Sequence, residues 1–178
     1  MGFRLPLLTG RSFLASVLVA LVGSCASFPP AAPPSSSPTQ LPDVEVATLS
    51  GGRTSVGHVA DGRVALVSLW ATWCDACAKE MDSLNRLDAK ASSERAVVIG
   101  VDIGEDREKV ASFAQRRRLR YVQLVDESFV FADALGGQRR LPATLVVDRR
   151  GRVIFRGDAL DSKSLDAFRK ALEDSPHP

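Results

Sequence analysis

The amino-acid sequence predicts an α/β fold, in which a central mixed sheet is flanked by helices and carries an added N-terminal hairpin. Apolar runs of strand length alternate with amphipathic stretches of helical period, and a last pair of strands precedes a C-terminal helix. The chain has 178 residues, of which 45% are hydrophobic and 25% are charged. These values are typical of one soluble domain with a single core.

The first 24 residues have the layout of a signal peptide. Arg4 and Arg11 precede an uncharged apolar run at 13–22, which is shorter than the roughly 20 residues that a membrane-spanning helix needs. The run ends in Val22-Gly23-Ser24-Cys25, which resembles the lipobox of bacterial lipoproteins. This resemblance implies cleavage before Cys25 and lipidation of that cysteine, so residues 1–24 are interpreted as a lipoprotein signal peptide.

Residues 25–40 are rich in proline and serine and cannot build a core, so they are interpreted as a lipid-anchored tether. The predicted domain therefore covers residues 41–178. Ala26 follows the cysteine, and in Gram-negative lipoproteins a residue other than aspartate there implies transport to the outer membrane. The alternative is cleavage after Ala26, which would release a soluble periplasmic protein. Both interpretations place the domain on the periplasmic side of a bacterial membrane.

The charge balance gives no support for nucleic-acid binding. The chain has 23 basic and 21 acidic residues, and removal of Arg4 and Arg11 with the signal segment leaves 21 of each. Two arginine clusters, 116–118 and 139–140, are interpreted as solvated faces, with a docking surface for an acidic partner as the alternative.

The elements of the domain follow from hydrophobic period and turn residues. Strands are predicted where short apolar or alternating runs are bounded by turns, at 44–49, 54–56, 64–70, 96–102, 121–125, 144–148 and 153–157. Helices are predicted where apolar residues recur at helical spacing, at 74–90, 105–118, 129–135 and 161–173. The first two strands form the added hairpin.

Cys74 and Cys77 are separated by two residues at the start of a predicted helix, so their sulfurs can form a disulfide in a small ring. The helix dipole and free backbone N–H groups favour a thiolate at Cys74. A CxxC pair also supplies half of the ligands in many zinc sites, but the remaining cysteine, Cys25, and the two histidines, His58 and His177, are not spaced as further zinc ligands. A purely structural disulfide would add little stability across so short a loop. Redox chemistry is favoured, with no metal or cofactor.

The segment 66–81 (LVSLWATWCDACAKEM) resembles the active site of the thioredoxin superfamily, and is most similar to its exported TlpA/ResA-like branch. The resemblance extends over about 41–173. It implies that Cys74 attacks a substrate disulfide and that Cys77 resolves the mixed disulfide. It also implies that Pro142 is a cis-proline facing the cysteines and that Leu141 offers its backbone to an extended substrate peptide.

The group that takes the proton of Cys77 differs from that of thioredoxins. Thioredoxins use a buried aspartate six residues before the first cysteine, where this chain has Ser68. TlpA/ResA-like proteins have an acid three residues after the second cysteine, which implies Glu80 as the base; a solvated surface carboxylate is the alternative. Trp73 is expected to pack over the site, and Trp70 is interpreted as core. Ala76 stands where the family often has proline.

The resemblance implies a thiol-disulfide oxidoreductase that reduces exported client proteins, such as apocytochrome c, with electrons from a membrane carrier of the DsbD or CcdA type. A net oxidant or isomerase is the alternative enzyme. A metal-delivery module similar to Sco proteins is disfavoured, because those proteins use CxxxC and a distant histidine. A peroxiredoxin-like peroxidase is disfavoured because Trp73 stands where that family has a different residue before its cysteine.

Overall fold

The computed structural model describes residues 2, 39–91 and 95–174. Most of the predicted signal peptide, Cys25 and the tether up to residue 38 lie outside the described residues. The domain belongs to a compact unit spanning Ser36–Pro178. Among the described residues, no helix is both long enough and apolar enough to cross a membrane.

The domain contains eight strands and five helices within the described residues. The strands, in chain order, are β1 Thr39–Gln40, β2 Glu45–Thr48, β3 Arg53–Ser55, β4 Val64–Trp70, β5 Ala96–Ile103, β6 Val122–Asp126, β7 Ala143–Val147 and β8 Arg152–Gly157. The helices are α1 Val56–Ala60, α2 Asp75–Ala91, α3 Arg107–Arg117, α4 Val130–Ala134 and α5 Ser162–Glu173.

One mixed sheet joins all eight strands in the order β1-β8-β7-β4-β5-β6-β2-β3. The three strands β4, β5 and β6 are parallel, and the other pairs are antiparallel. Every residue of β4 and β5 is buried, as the continuous apolar runs predict for strands covered on both faces. The predicted fold class, a central mixed sheet with flanking helices, is confirmed.

The two faces of the sheet carry separate cores. Side chains alternate along β4, so that Ala65, Val67 and Leu69 pack with α1 and α4. Val64 and Leu66 point the other way and pack with α2 and α5. Cys74 and Cys77 belong to a third cluster, which also holds Trp70, Met81 of α2 and Val110 of α3.

The strands β2 and β3 form an antiparallel pair, and β2 joins β6 at its other side. Val56, which the sequence analysis assigned to the second of these strands, instead begins α1. The reason is a local cap, because the Ser55 hydroxyl accepts the His58 N–H at 3.1 Å and starts the helix.

Most other boundaries differ from the predicted ones by a residue or two, and two of the differences change the edge of the sheet and the loop after β5. Thr39 and Gln40, assigned to the tether, pair with β8 and are part of the sheet. The second long helix begins at Arg107 and not at Glu105, because the Asp106 carboxylate accepts the N–H groups of Glu108 and Lys109 and caps the helix there. Glu105 is therefore left outside the helix, in the loop after β5.

Candidate active site

Cys74 and Cys77 lie at the N-terminus of α2, joined by a disulfide with an S–S distance of 2.08 Å. The helix begins at Asp75, one residue later than the sequence predicts, because Cys74 occupies the cap position. Its carbonyl accepts the Ala78 N–H, and its Sγ accepts the Cys77 N–H at 3.1 Å. The sulfur of Cys74 thus takes the place of a capping oxygen, which favours negative charge on that atom.

The segment before β7 packs against the cluster that contains the cysteines. The peptide bond between Leu141 and Pro142 is cis. Leu141 packs against the apolar cluster that contains Cys74 and Cys77, and Pro142 is buried. The structure therefore brings together the two cysteines and the Leu141–Pro142 segment that the sequence analysis assigned to substrate binding.

The two tryptophans near the cysteines have opposite environments. Trp73 is 65% exposed, the most exposed large apolar side chain among the described residues. It stands beside the disulfide on the surface and does not belong to the core. Trp70 is buried, as predicted, and its ring lies 5.4 Å from that of Phe113 of α3.

Glu80 lies one helical turn after Cys77 on α2 and is half-buried. Its Oε1 accepts the Leu160 N–H at 3.0 Å, while its Oε2 is buried without a hydrogen-bond partner. Burial raises the pKa of Glu80 above its ordinary value, and the nearby negative charge of Asp161 adds to this effect, while the Leu160 N–H opposes it. Glu80 is thus tied to the loop before α5 and is not a freely solvated surface carboxylate.

A pair of acids, Glu105 and Asp102, lies next to the loop that leads from β4 to Cys74. The carboxylate of Glu105 accepts the backbone N–H of Thr72 and, at 2.7 Å, the Thr72 hydroxyl. Its side chain is 5% exposed and also pairs with Lys109 at 2.6 Å. On its interior side, the Glu105 carboxylate interacts electrostatically with the carboxyl group of Asp102 on β5. Thr72 precedes Cys74 by two residues, so this acid pair is attached directly to the loop that carries the nucleophile.

Asp102 is fully buried, and neither of its oxygens has a well-formed hydrogen bond to the protein. Burial, followed by the adjacent Glu105 carboxyl, raises the pKa of Asp102 to about 8. The pKa of Glu105 is lowered, because the hydrogen bonds from Lys109 and Thr72 outweigh the effect of its burial. At neutral pH the two groups are therefore a carboxylic acid and a carboxylate in contact.

The sequence alone does not indicate this acid pair, because residues 96–102 have only the pattern of a buried strand and Glu105 only that of the start of a charged helix. One feature of the sequence could have indicated Asp102. It lies near the carboxyl end of β5, which is parallel to β4, the strand that leads to the cysteines, and the carboxyl ends of adjacent parallel strands lie at the same edge of a sheet.

Comparisons with known proteins agree with this geometry. The sequence matches the AhpC/TSA family over residues 38–156. It is 33% identical over 114 residues to the thioredoxin-like protein YneN of Bacillus subtilis, covering 63% of this chain and 65% of that protein. It is 29% identical over 92 residues to the thiol-disulfide oxidoreductase ResA of Geobacillus thermodenitrificans, covering 52% of each. The chain thus spans between half and two thirds of the length of these relatives.

Solved structures share the fold at lower identity. A secreted thiol-disulfide isomerase from Corynebacterium glutamicum superposes with a TM-score of 0.66 at 23% identity, covering 75% of this chain and 86% of that one. The thioredoxin domain of a thiol-disulfide oxidoreductase from Bacteroides vulgatus also gives 0.66, at 18% identity, covering 76% and 97%. The resemblance of the sequence to thioredoxin-like, ResA-like proteins is confirmed, and the chain belongs to the AhpC/TSA family.

Proposed function

We propose that this protein is a thiol-disulfide oxidoreductase that reduces disulfides of exported client proteins through Cys74 and Cys77. The observation that carries the proposal is the position of the Cys74–Cys77 disulfide at the N-terminus of α2, against the cis Leu141–Pro142 segment. Disulfide exchange needs a reversible disulfide, a site that favours a thiolate and an adjacent backbone segment that can bind a peptide.

The reaction begins from the reduced protein. The Cys74 thiolate attacks one sulfur of the client disulfide, which forms a mixed disulfide and releases the other client sulfur as a thiolate. Cys77 then loses its proton and attacks Cys74, which releases the second client thiol and re-forms the Cys74–Cys77 disulfide. Two electrons pass from the protein dithiol to the client. Exchange with a membrane thiol carrier of the DsbD or CcdA type reduces the protein again.

Glu80 is the proposed base for Cys77. Its raised pKa makes it a stronger proton acceptor than an exposed glutamate, and its buried Oε2 has no other partner. Trp73, Leu141 and Pro142 are the proposed contacts to the client, because an exposed indole and a backbone segment suit an extended peptide.

The proposed location is the periplasmic side of a bacterial membrane, with residues 1–24 removed and Cys25 lipidated. The name of one structural neighbour describes a secreted protein, and the lipobox-like sequence supports the anchor. In cells, incorporation of labelled palmitate that is lost in Cys25→Ser supports the anchor. Equal labelling of both proteins would contradict it.

The test of the activity is the reduction potential of the Cys74/Cys77 couple, measured by thiol trapping in dithiothreitol and glutathione buffers. A value near the thioredoxin end of the scale, about −250 mV, is expected for a dedicated reductant. A value near −120 mV would instead indicate a net oxidant. Absence of exchange, with hydrogen peroxide consumed in its place, would overturn the proposal in favour of a peroxidase.

A further inference from the structure

We propose that Asp102 and Glu105 form a positioning pair that shares one proton, and that this pair holds the Thr72–Cys74 loop in place for exchange. Asp102 is the carboxylic acid and donates a hydrogen bond, and the Glu105 carboxylate accepts it. Only one part of this proposal, the role of the loop in disulfide exchange, rests on the proposed function. The shared proton itself is a property of the oxidised protein and is testable without a substrate.

The burial of Asp102 next to Glu105 favours a proton between the two groups. Two ionised carboxylates offer only acceptors, and Asp102 is fully buried with neither oxygen well hydrogen-bonded to the protein. A second buried negative charge beside Glu105 would be costly, since like charges in contact favour protonation of one of them. Protonation of Asp102 removes this repulsion and supplies the missing donor.

The pair acts on the nucleophile through Thr72. Glu105 accepts both the backbone N–H and the hydroxyl of Thr72, which fixes the backbone two residues before Cys74. These contacts need Glu105 to stay ionised and in place. Loss of the proton from Asp102 would place two negative charges together, displace the Glu105 carboxylate and loosen the loop.

The charged groups that act on Asp102 are few. Glu105 in the loop after β5 raises its pKa, and Lys109 in the first turn of α3 lowers it. Its register partners on the adjacent strands, Trp70 of β4 and Val125 of β6, carry no charge. Ionisation of Asp102 is therefore expected to depend mainly on Glu105.

The experiment is a fluorescence titration of the purified, fully oxidised full chain between pH 6 and 10. The disulfide keeps Cys74 and Cys77 from titrating. The protein has only two tryptophans, one beside Asp102 in the sheet and one adjacent to Thr72. We expect a reversible transition near pH 8 in the wild type, its loss in Asp102→Asn, and its retention in Glu108→Gln. Glu108 is the matched control, since its side chain is 69% exposed on the same helix start.

A second measurement tests the effect on exchange by rescue. In reduced protein at pH 7, Asp102→Asn should keep the rate of disulfide exchange within twofold of wild type, because an amide N–H can replace the acid as donor to Glu105. Asp102→Ala should lower that rate at least tenfold, because it leaves the Glu105 charge without this donor.

Two results would overturn the proposal. One is a wild-type titration that is flat, or that is unchanged in Asp102→Asn. The other is a folded Asp102→Ala with the wild-type exchange rate. Should Asp102→Ala not fold, the titration of Asp102→Asn decides alone. Loss of exchange activity in every protein, wild type included, would refute the proposed function and leave the titration result standing.

Discussion

Cys74 and Cys77 share one disulfide but differ in their surroundings. The Sγ of Cys74 accepts a backbone N–H at the helix start, whereas Cys77 lies within the first turn of α2 and is less exposed, at 3% against 7%. Charge is therefore better stabilised on Cys74. The chemical difference between the two cysteines is a consequence of one helix cap.

This difference predicts which variant traps a client. Cys77→Ser should accumulate a mixed disulfide between Cys74 and a disulfide-bonded peptide, because the resolving thiol is missing. Cys74→Ser should accumulate none. Non-reducing gel electrophoresis and mass spectrometry distinguish the two, and the opposite pattern would reverse the assigned roles.

Glu80 gives a second prediction at this scale. Glu80→Gln should slow resolution on the order of 100-fold at neutral pH, the usual range for loss of a general base. The amide oxygen can still accept the Leu160 N–H, so the fold should be retained. In the wild type the rate should fall as pH decreases through the raised pKa of Glu80, because only the ionised form accepts a proton.

The measurement is the rate of release of a labelled peptide from a preformed mixed disulfide, as a function of pH. Asp82→Asn is the control, since Asp82 is an exposed acid on the same helix. An equal rate and an equal pH profile for Glu80→Gln and wild type would exclude Glu80 as the base.

Some residues of the site can be predicted from the sequence, and others cannot. Cys74, Cys77 and Pro142 belong to short local motifs, so sequence patterns indicate them directly. The contact between Glu105 and Thr72 joins residues 33 positions apart, and the burial of Asp102 arises only when three strands pack. No short sequence pattern indicates such a contact, so the acid pair cannot be predicted from the sequence alone.

Among the elements, the loop between β5 and α3 depends on one glycine. Gly104 has a φ of +77°, and an added Cβ would lie 2.1 Å from Cζ of the Phe129 ring. Its N–H also donates to the Asp126 carbonyl at 2.9 Å. The loop that carries Glu105 can therefore adopt its backbone conformation without strain only with glycine at position 104.

Gly104→Ala should lower the free energy of unfolding by about 1–3 kcal/mol more than Gly62→Ala does, since overpacking adds to the backbone cost. Gly62 is a matched control, because its φ is +68° and an added Cβ would meet no atom within 4 Å. Urea unfolding of the oxidised proteins measures both values. Equal losses in the two variants would show that the Phe129 ring moves aside without cost.

The helices show why element boundaries were harder to predict than elements. Periodicity identifies the buried stripe of α2 through Met81 and Leu84, which are both buried. It does not mark the first residue of a helix, which depends on a capping atom. Cys74 caps α2 with its sulfur and Asp106 caps α3 with its carboxylate. The helix starts therefore differ from the sequence analysis by one and two residues.

For the whole molecule, Asp102 predicts how stability depends on pH. Its folded pKa, about 8, lies above the unfolded value of 3.8. The native state thus binds more protons than the unfolded state between these values, and this contribution to stability falls as pH rises. The slope for one such group is up to about 1.4 kcal/mol per pH unit.

Urea unfolding of oxidised wild type and Asp102→Asn at several pH values measures this contribution. We expect the stability of the variant relative to wild type to rise steadily as pH increases from about 4 to about 8, because asparagine has no proton to lose. The same pH slope in both proteins would show that Asp102 does not titrate in the folded state.

The order of strands in the sheet was only partly available from the sequence. The parallel order β4-β5-β6 follows from the β-α-β pattern of the chain. The pairing of β2 with β6 and of β1 with β8 joins segments distant in sequence through backbone hydrogen bonds, which carry no side-chain signature. Short elements such as α1 and β1 were accordingly missed or placed in a neighbouring segment.

Within the described residues, the sheet ends at both sides in short strands, β1 with two residues and β3 with three. Long exposed edge strands offer unpaired N–H and C=O groups on which other chains can assemble into aggregates. Here Thr39 and Gln40 cover part of β8, and β3 covers β2. The described part of the sheet therefore presents few unpaired backbone groups for the addition of a strand from another molecule.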